Sequence, residues 1–148
     1  GLLLLENGTR PDPEVEEILQ NAVLRQLKPQ PQVAIGILLL ENKLATSAID
    51  LSDGISSDLA HVCKASGVGA AIDASKLPIT KGATLEMALD GGEDFEILFT
   101  VSPERRSNAF ALGAVEIGEI TSESNITLLI DGEPRPLTPK GFDHFKRA

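Results

Sequence analysis

The chain has 148 residues, 42% of them hydrophobic and 24% charged, with five Phe and neither Trp nor Tyr; this globular composition excludes a disordered chain and leaves the core to Leu, Ile, Val and Ala. Thirteen basic against 22 acidic residues give a formal charge of −9, which argues against a nucleic-acid groove or an anionic membrane surface and suits a site that holds cations. One cysteine, Cys63, rules out an intrachain disulfide and, with only His61 and His144 beside it, a Cys/His metal cluster, so a reducing, cytoplasmic setting is expected.

At about 150 residues per domain, one domain is the prior. Residues 1–5 read as a short buried strand closed by a turn at Asn7-Gly8, and the Leu2–Leu5 run lacks the basic flank and cleavage site of a secretion signal. From Pro13 the pattern becomes helical: Val15, Ile18, Leu19, Ala22, Val23 and Leu27 share a face, with Glu14, Glu16 and Glu17 in the first turn. Lys28-Pro29-Gln30-Pro31 stops that helix, and the apolar run 33–40, too short for the ~20 residues of a membrane span, reads as a second one opened by Pro31.

Residues 44–51 read as a strand running into a helix with the stripe Ile55, Leu59, Val62 and Cys63 and with Gly67 as its C-cap. His61 falls on the outer side of that helix and Cys63 on the buried stripe, so neither is a strong ligand or nucleophile. A strand over 69–73, a helix over 83–89 and a strand over 95–101 follow, the last with Phe95, Ile97 and Phe99 on one face. Ser102-Pro103 opens a helix over 104–112, strands are predicted over 115–121 and 125–130, and Asp131-Gly132 is a turn. Alternating strands and helices ending in a late strand pair predict an α+β fold with a mixed β-sheet packed with helices.

Three segments carry chemistry. In Ala48-Ile49-Asp50-Leu51-Ser52-Asp53-Gly54, two carboxylates and a hydroxyl sit where a strand meets a helix start. With free backbone N–H groups nearby, that arrangement suits a magnesium–phosphate complex; the same residues would equally serve as a plain N-cap. In Gly91-Gly92-Glu93-Asp94-Phe95-Glu96, two glycines allow close approach and three acids follow within four positions, a crowding that calls for cations or N–H donors; a hairpin turn with a solvated acidic start is the other reading. The third segment, Gly141-Phe142-Asp143-His144-Phe145, reads either as a tail docked by its Phe rings or as a flat contact for a ligand ring. No phosphate-binding Gly-x-x-x-x-Gly-Lys-Ser/Thr loop and no Gly-x-Ser-x-Gly elbow occurs in the chain.

These segments, with Ala65-Ser66-Gly67-Val68-Gly69-Ala70 and Leu77-Pro78 between them, resemble in order and spacing the C-terminal half of the thiamine-monophosphate kinase family. That family belongs with aminoimidazole ribonucleotide synthetase, selenophosphate synthetase and a hydrogenase-maturation protein. The resemblance runs from about Leu27 to Phe145 and implies the C-terminal-domain sandwich of the aminoimidazole ribonucleotide synthetase type. It implies ATP- and Mg2+-dependent phosphorylation of thiamine monophosphate to thiamine diphosphate. Asp50 and Asp53 match magnesium-binding positions and Ser52 an ATP-binding one; Glu93 and Phe142 match substrate-contacting positions, and Asp94 shares the motif of Glu93.

Phe95 and Phe142 stand where the family usually has Tyr, which removes two hydroxyls. The family's N-terminal half, which supplies further metal ligands, much of the nucleotide pocket and the homodimer interface, has no counterpart in these residues. The expectation is a single C-terminal domain over 1–148 that folds and holds half a site without catalysing on its own. Another enzyme of the same superfamily and a non-catalytic binding module are the alternatives.

Overall fold

A computed structural model describes residues 1–9 and 17–140, the Ile18 side chain excepted. Residues 2–6 are not the expected strand but a short helix, α1 (Leu2–Glu6). Leucine has no β-branch and a high helix propensity, and Leu5 and Asn7 donate their N–H groups to the Gly1 and Leu3 carbonyls at 3.1 and 3.0 Å. α1 packs against α2 (Glu17–Leu27), which realises the predicted helix; of its expected face Val23 is wholly buried and Leu19 and Ala22 half-buried, but Leu27, at the very end of the helix, is 55% exposed. Its expected start, with Val15, Glu14 and Glu16, lies outside the described residues.

The apolar run is the helix α3 (Val33–Glu41), and β1 (Ala45–Asp50) follows it. Next come α4 (Ile55–Ser66), which ends on Gly67 in the left-handed conformation (φ 66°) as predicted, and β2 (Gly69–Asp73). Thr84 caps α5 (Leu85–Asp90) through a 3.1 Å bond from the Met87 N–H to its hydroxyl. β3 (Ile97–Val101) pairs antiparallel with β1 in a two-stranded ribbon, and Pro103 opens a 3-10 turn leading into α6 (Arg106–Ala111).

β4 (Gly118–Thr121), β5 (Ile126–Ile130) and β6 (Glu133–Pro136) complete a four-stranded sheet of order β4-β2-β5-β6. β2 and β5 are parallel and the other neighbours antiparallel, so the sheet is mixed, as expected. β6 was not foreseen: two prolines in four residues weigh against a strand, and an edge position is where a sheet tolerates them. Asp131 and Gly132, both at positive φ, form the tight turn that returns β5 into β6.

Two apolar clusters hold these elements. The larger joins α4 to the mixed sheet through Ile55, Leu59, Cys63, Ile72 and Leu128; the smaller gathers Leu39, Leu44 and Ala109 beneath the ribbon. β3 lies between them, with Ile97, Phe99 and Val101 on the smaller cluster and Leu98 on the larger. All five of its residues are therefore half-buried, not alternately in and out. The expected Phe95–Ile97–Phe99 face fails at its first member, because Phe95 sits before the strand at φ 53°.

Candidate functional site

The strand–helix junction and the double-glycine segment are remote in sequence but adjacent in space. Beyond the end of the β1–β3 ladder the two chains stay paired through their backbones: the Leu51 N–H donates to the Glu96 carbonyl (2.8 Å), Phe95 N–H to Leu51 carbonyl (2.8 Å) and Glu93 N–H to Ser52 carbonyl (2.9 Å). Two glycines let this pairing form. A Cβ on Gly92 would stand 2.6 Å from the Ser52 carbonyl oxygen, and Gly54, at φ 99°, lies against the backbone of residues 89–91. Positive φ at Glu93 (64°) and Phe95 (53°) gives the acidic segment an irregular path that non-glycine residues rarely take. Asp50, Ser52, Asp53, Glu93 and Asp94 are thereby borne on one pair of joined backbones.

The plain N-cap reading of Ser52 and Asp53 is not what the structure adopts. Gly54 is the N-cap of α4, without a side-chain cap bond. The backbone N–H groups expected to be free for phosphate are in part already engaged: those of Ser52 and Asp53 both donate to Asp58 Oδ2 at 3.1 Å. Asp58, in the first turn of α4, is only 2% exposed. Two residues earlier on α4, the fully buried Ser56 donates its hydroxyl to Asp90 Oδ1 at 2.6 Å and accepts the Lys140 N–H at 3.3 Å.

Sequence reasoning missed Asp58, Ser56 and Asp90. Ser56 and Asp58 flank the apolar stripe of α4, and nothing in the sequence distinguishes such a flank from a solvated one; Asp90 closes α5.

Among the acidic side chains, Arg25 of α2 forms an ion pair with Glu96 and Gln26 donates to Glu93 Oε2. Asp94 reaches solvent, yet its carboxyl pKa is raised. Desolvation by the surrounding protein is the largest cause; the Arg25 charge opposes it and the neighbouring Glu96 charge reinforces it. Asp50 is exposed at the end of β1 and Asp53 is half-buried.

No group of three or more His, Cys, Asp or Glu that could hold a metal ion occurs among the described residues. Two carboxylates with no described cation paired to them are still a fitting donor set for Mg2+, which takes one or two carboxylates and completes its shell with water and substrate phosphate. Phe142, with the rest of the 141–145 segment, lies outside the described residues. His61 is exposed and Cys63 buried, as expected, and burial raises the Cys63 thiol pKa.

Comparison with known proteins adds an independent line. Residues 4–131 match the profile of "AIR synthase related protein, C-terminal domain". The thiamine-monophosphate kinase of Escherichia coli (strain K12) is 42% identical over 139 residues, a match covering 83% of this chain and 42% of that protein. The crystal structure of thiamine-monophosphate kinase from Stenotrophomonas maltophilia K279a superposes with a TM-score of 0.77 at 30% identity, over 90% of this chain and 46% of that one. "AaThiL complexed with AMPPCP and TMP" superposes with the same TM-score of 0.77 at 31% identity, over 97% and 46%. The chain thus spans less than half the length of each of these relatives. With the profile match running from α1 to the turn after β5, the chain belongs to the AIR synthase related family and carries its C-terminal domain.

Proposed function

We propose that this chain is the C-terminal domain of a two-domain thiamine-monophosphate kinase, which transfers the γ-phosphoryl group of ATP to the phosphate of thiamine monophosphate. The single observation that carries the reading is the backbone pairing of residues 51–52 with 93–96. It joins the segment matched to metal and ATP with the segment matched to substrate, in a chain whose relatives bear that activity in their names.

Asp50 and Asp53 would hold Mg2+ and Ser52 would contact ATP, while Glu93, Phe142 and Asp94 would contact thiamine monophosphate. Bound Mg2+ supplies charge neutralisation and orientation for the phosphates. The attacking oxygen belongs to a phosphate monoester, largely dianionic near neutral pH because its second pKa is about 6, so no general base is needed. What the chain must do is bring two anions into line, a matter of positioning and electrostatics. The fixed seam between residues 51–52 and 93–96 suits that task.

The remaining partners follow from the same reading: an N-terminal domain that completes the nucleotide pocket, a homodimer of the whole protein, and a cytoplasmic setting. Among the described residues no helix is long and apolar enough to cross a membrane.

The test is formation of thiamine diphosphate from thiamine monophosphate and ATP. The chain joined to an upstream half of the length its relatives possess is expected to be active only with Mg2+, and residues 1–148 alone are expected to be inactive. Product formation by 1–148 alone would overturn the two-domain part of the reading. An inactive joined protein that accepts a different nucleotide-dependent substrate of the superfamily would overturn the substrate assignment.

A further inference from the structure

Among the described residues, the two buried polar side chains, Ser56 and Asp58, both stand in the first turn of α4. Ser56 donates to Asp90 Oδ1, whereas Asp58 turns to the strand–helix junction. Its Oδ2 accepts the Ser52 and Asp53 N–H groups at 3.1 Å each, and its own N–H donates to the Gly54 carbonyl at 2.9 Å. Main chain and side chain of one residue thus grip the turn from 52 to 54.

The peptide between Ser52 and Asp53 is tied at both ends. Its carbonyl accepts the Glu93 N–H at 2.9 Å and its N–H donates to Asp58. A peptide unit is planar, so this one cannot turn without giving up one of those bonds. Asp58 holds the two residues by their backbone, and the Ser52 hydroxyl and Asp53 carboxylate take no part in these bonds. Across the seam, the chain that bears Glu93 and Asp94 has further ties of its own, from Phe95 and Glu96 to Leu51.

We propose that Asp58 is a positioning residue for the metal–nucleotide side of the site: its buried carboxylate fixes the Ser52–Asp53 peptide, so that the Ser52 hydroxyl and the Asp53 carboxylate meet Mg2+ and ATP from a preset backbone. The kinetic part of this inference rests on the thiamine-monophosphate kinase reading; the holding of the junction does not. Loss of the carboxylate frees two N–H groups in one step, and both must then find water or move. Because the acidic segment keeps its ties to Leu51, the loss falls chiefly on the metal–nucleotide side.

The experiment has two arms. In the first, amide hydrogen exchange is followed by NMR on residues 1–148. The Ser52 and Asp53 amides of the unaltered chain should be protected, and Asp58→Ala should speed the exchange of both by about tenfold or more, the scale of a lost buried hydrogen bond. Asp58→Asn, which keeps an acceptor oxygen, should restore part of the protection. Ser56→Ala, which removes the other buried polar group of the same turn, should leave both amides protected; an equal effect from it would mean general loosening and overturns the proposal. Free exchange of the two amides in the unaltered chain overturns it without any variant, so an Asp58→Ala protein that failed to fold would not shield it.

In the second arm, the chain joined to its upstream half is assayed over a range of Mg2+ and ATP concentrations. Asp58→Asn should raise the KM for ATP and the Mg2+ requirement several-fold and leave the KM for thiamine monophosphate within about twofold, a split that general destabilisation does not produce. An unchanged KM for ATP, or an equal rise in both KM values, overturns the positioning role. Absence of activity in the unaltered joined protein would instead overturn the function assigned above, while the exchange arm still decides whether Asp58 holds the junction.

Discussion

Replacing Asp58 tests whether a buried carboxylate, and not the helix cap, shapes the strand–helix junction. Its Oδ2 accepts two backbone N–H groups, from Ser52 and Asp53, at 3.1 Å each, and the side chain is 2% exposed. A hydrogen bond to a charged acceptor contributes about 1.5–3 kcal/mol. Ser52 and Asp53 are themselves half-buried, so water partly replaces the lost acceptor and the lower end of that range applies. Asp58→Ala should therefore cost about 3 kcal/mol, to which the loss of a carboxylate from the first turn of α4 adds a few tenths through the helix dipole.

Asp58→Asn is the informative partner, because an amide oxygen of the same shape can accept both N–H groups without the charge. Charge-assisted bonds are roughly twice as strong as neutral ones, so Asn should recover about half of the loss. Urea unfolding measures both variants, with the midpoint moving at constant m-value; in a thermal scan 3 kcal/mol corresponds to roughly 10 °C for a chain of this size. Two outcomes refute the reasoning: an Ala variant within about 0.5 kcal/mol of the unaltered chain, or an Asn variant no better than Ala.

Two further predictions concern the acidic segment. The Asp94 pKa is raised in the folded chain, chiefly by desolvation. Between the ordinary Asp value near 3.9 and the raised one, the folded state keeps a proton that the unfolded state has lost, so stability falls as pH rises through that window and the deficit persists above it. Asp94→Asn should accordingly raise Tm near pH 7 and leave it unchanged well below the ordinary carboxylate range; the same increment at both pH values would show that charge is not the cause. Gly92→Ala would set a Cβ 2.6 Å from the Ser52 carbonyl oxygen and should destabilise the chain by about 1–3 kcal/mol as the two backbones part. Chemical denaturation decides it, and a neutral substitution would mean that residues 92 and 52 are not in the close contact described.

The fold was legible where periodicity and punctuation agreed. Ile55, Leu59, Val62 and Cys63 at helical spacing, with Gly67 after them, specify α4 and its end, and both lie where that pattern puts them. Leu2–Leu5 misled because a short apolar run carries no period, and leucine follows its helical preference when no strand lies beside it. The Pro134 and Pro136 positions hid β6 because their cost disappears only at a sheet edge, a property of the topology and not of the segment. At the site, the acidic and double-glycine segments could be picked out by composition, but their adjacency could not: some forty residues separate Ser52 from Glu93, which share a backbone bond. Ser56 and Asp58 were unreadable for a related reason. A polar residue beside a helix stripe reads as solvated until the partners that bury it, Asp90 and the Ser52–Asp53 backbone, are in place.

The way the acids are distributed bears on how the domain would meet an anionic ligand. Five carboxylates, Asp50, Asp53, Glu93, Asp94 and Glu96, ride on two backbones joined by main-chain bonds, in a chain of formal charge −9. Such a surface repels a bare nucleotide, so binding of ATP would have to come with its cation. α2 already divides the acids: Arg25 pairs with Glu96 and Gln26 donates to Glu93, whereas no described cation is paired with Asp50 or Asp53. That leaves Asp94, in the acidic segment, and Asp50 and Asp53, the pair we propose for magnesium, which sit on the side of the junction whose backbone Asp58 has fixed. Because Asp58, Ser56 and main-chain bonds do the holding, the side chains of Asp50 and Asp53 are spared from structural duty. A cation bound there, as we propose, would displace no ion pair among the described residues, the condition under which binding a metal–phosphate complex costs the fold least.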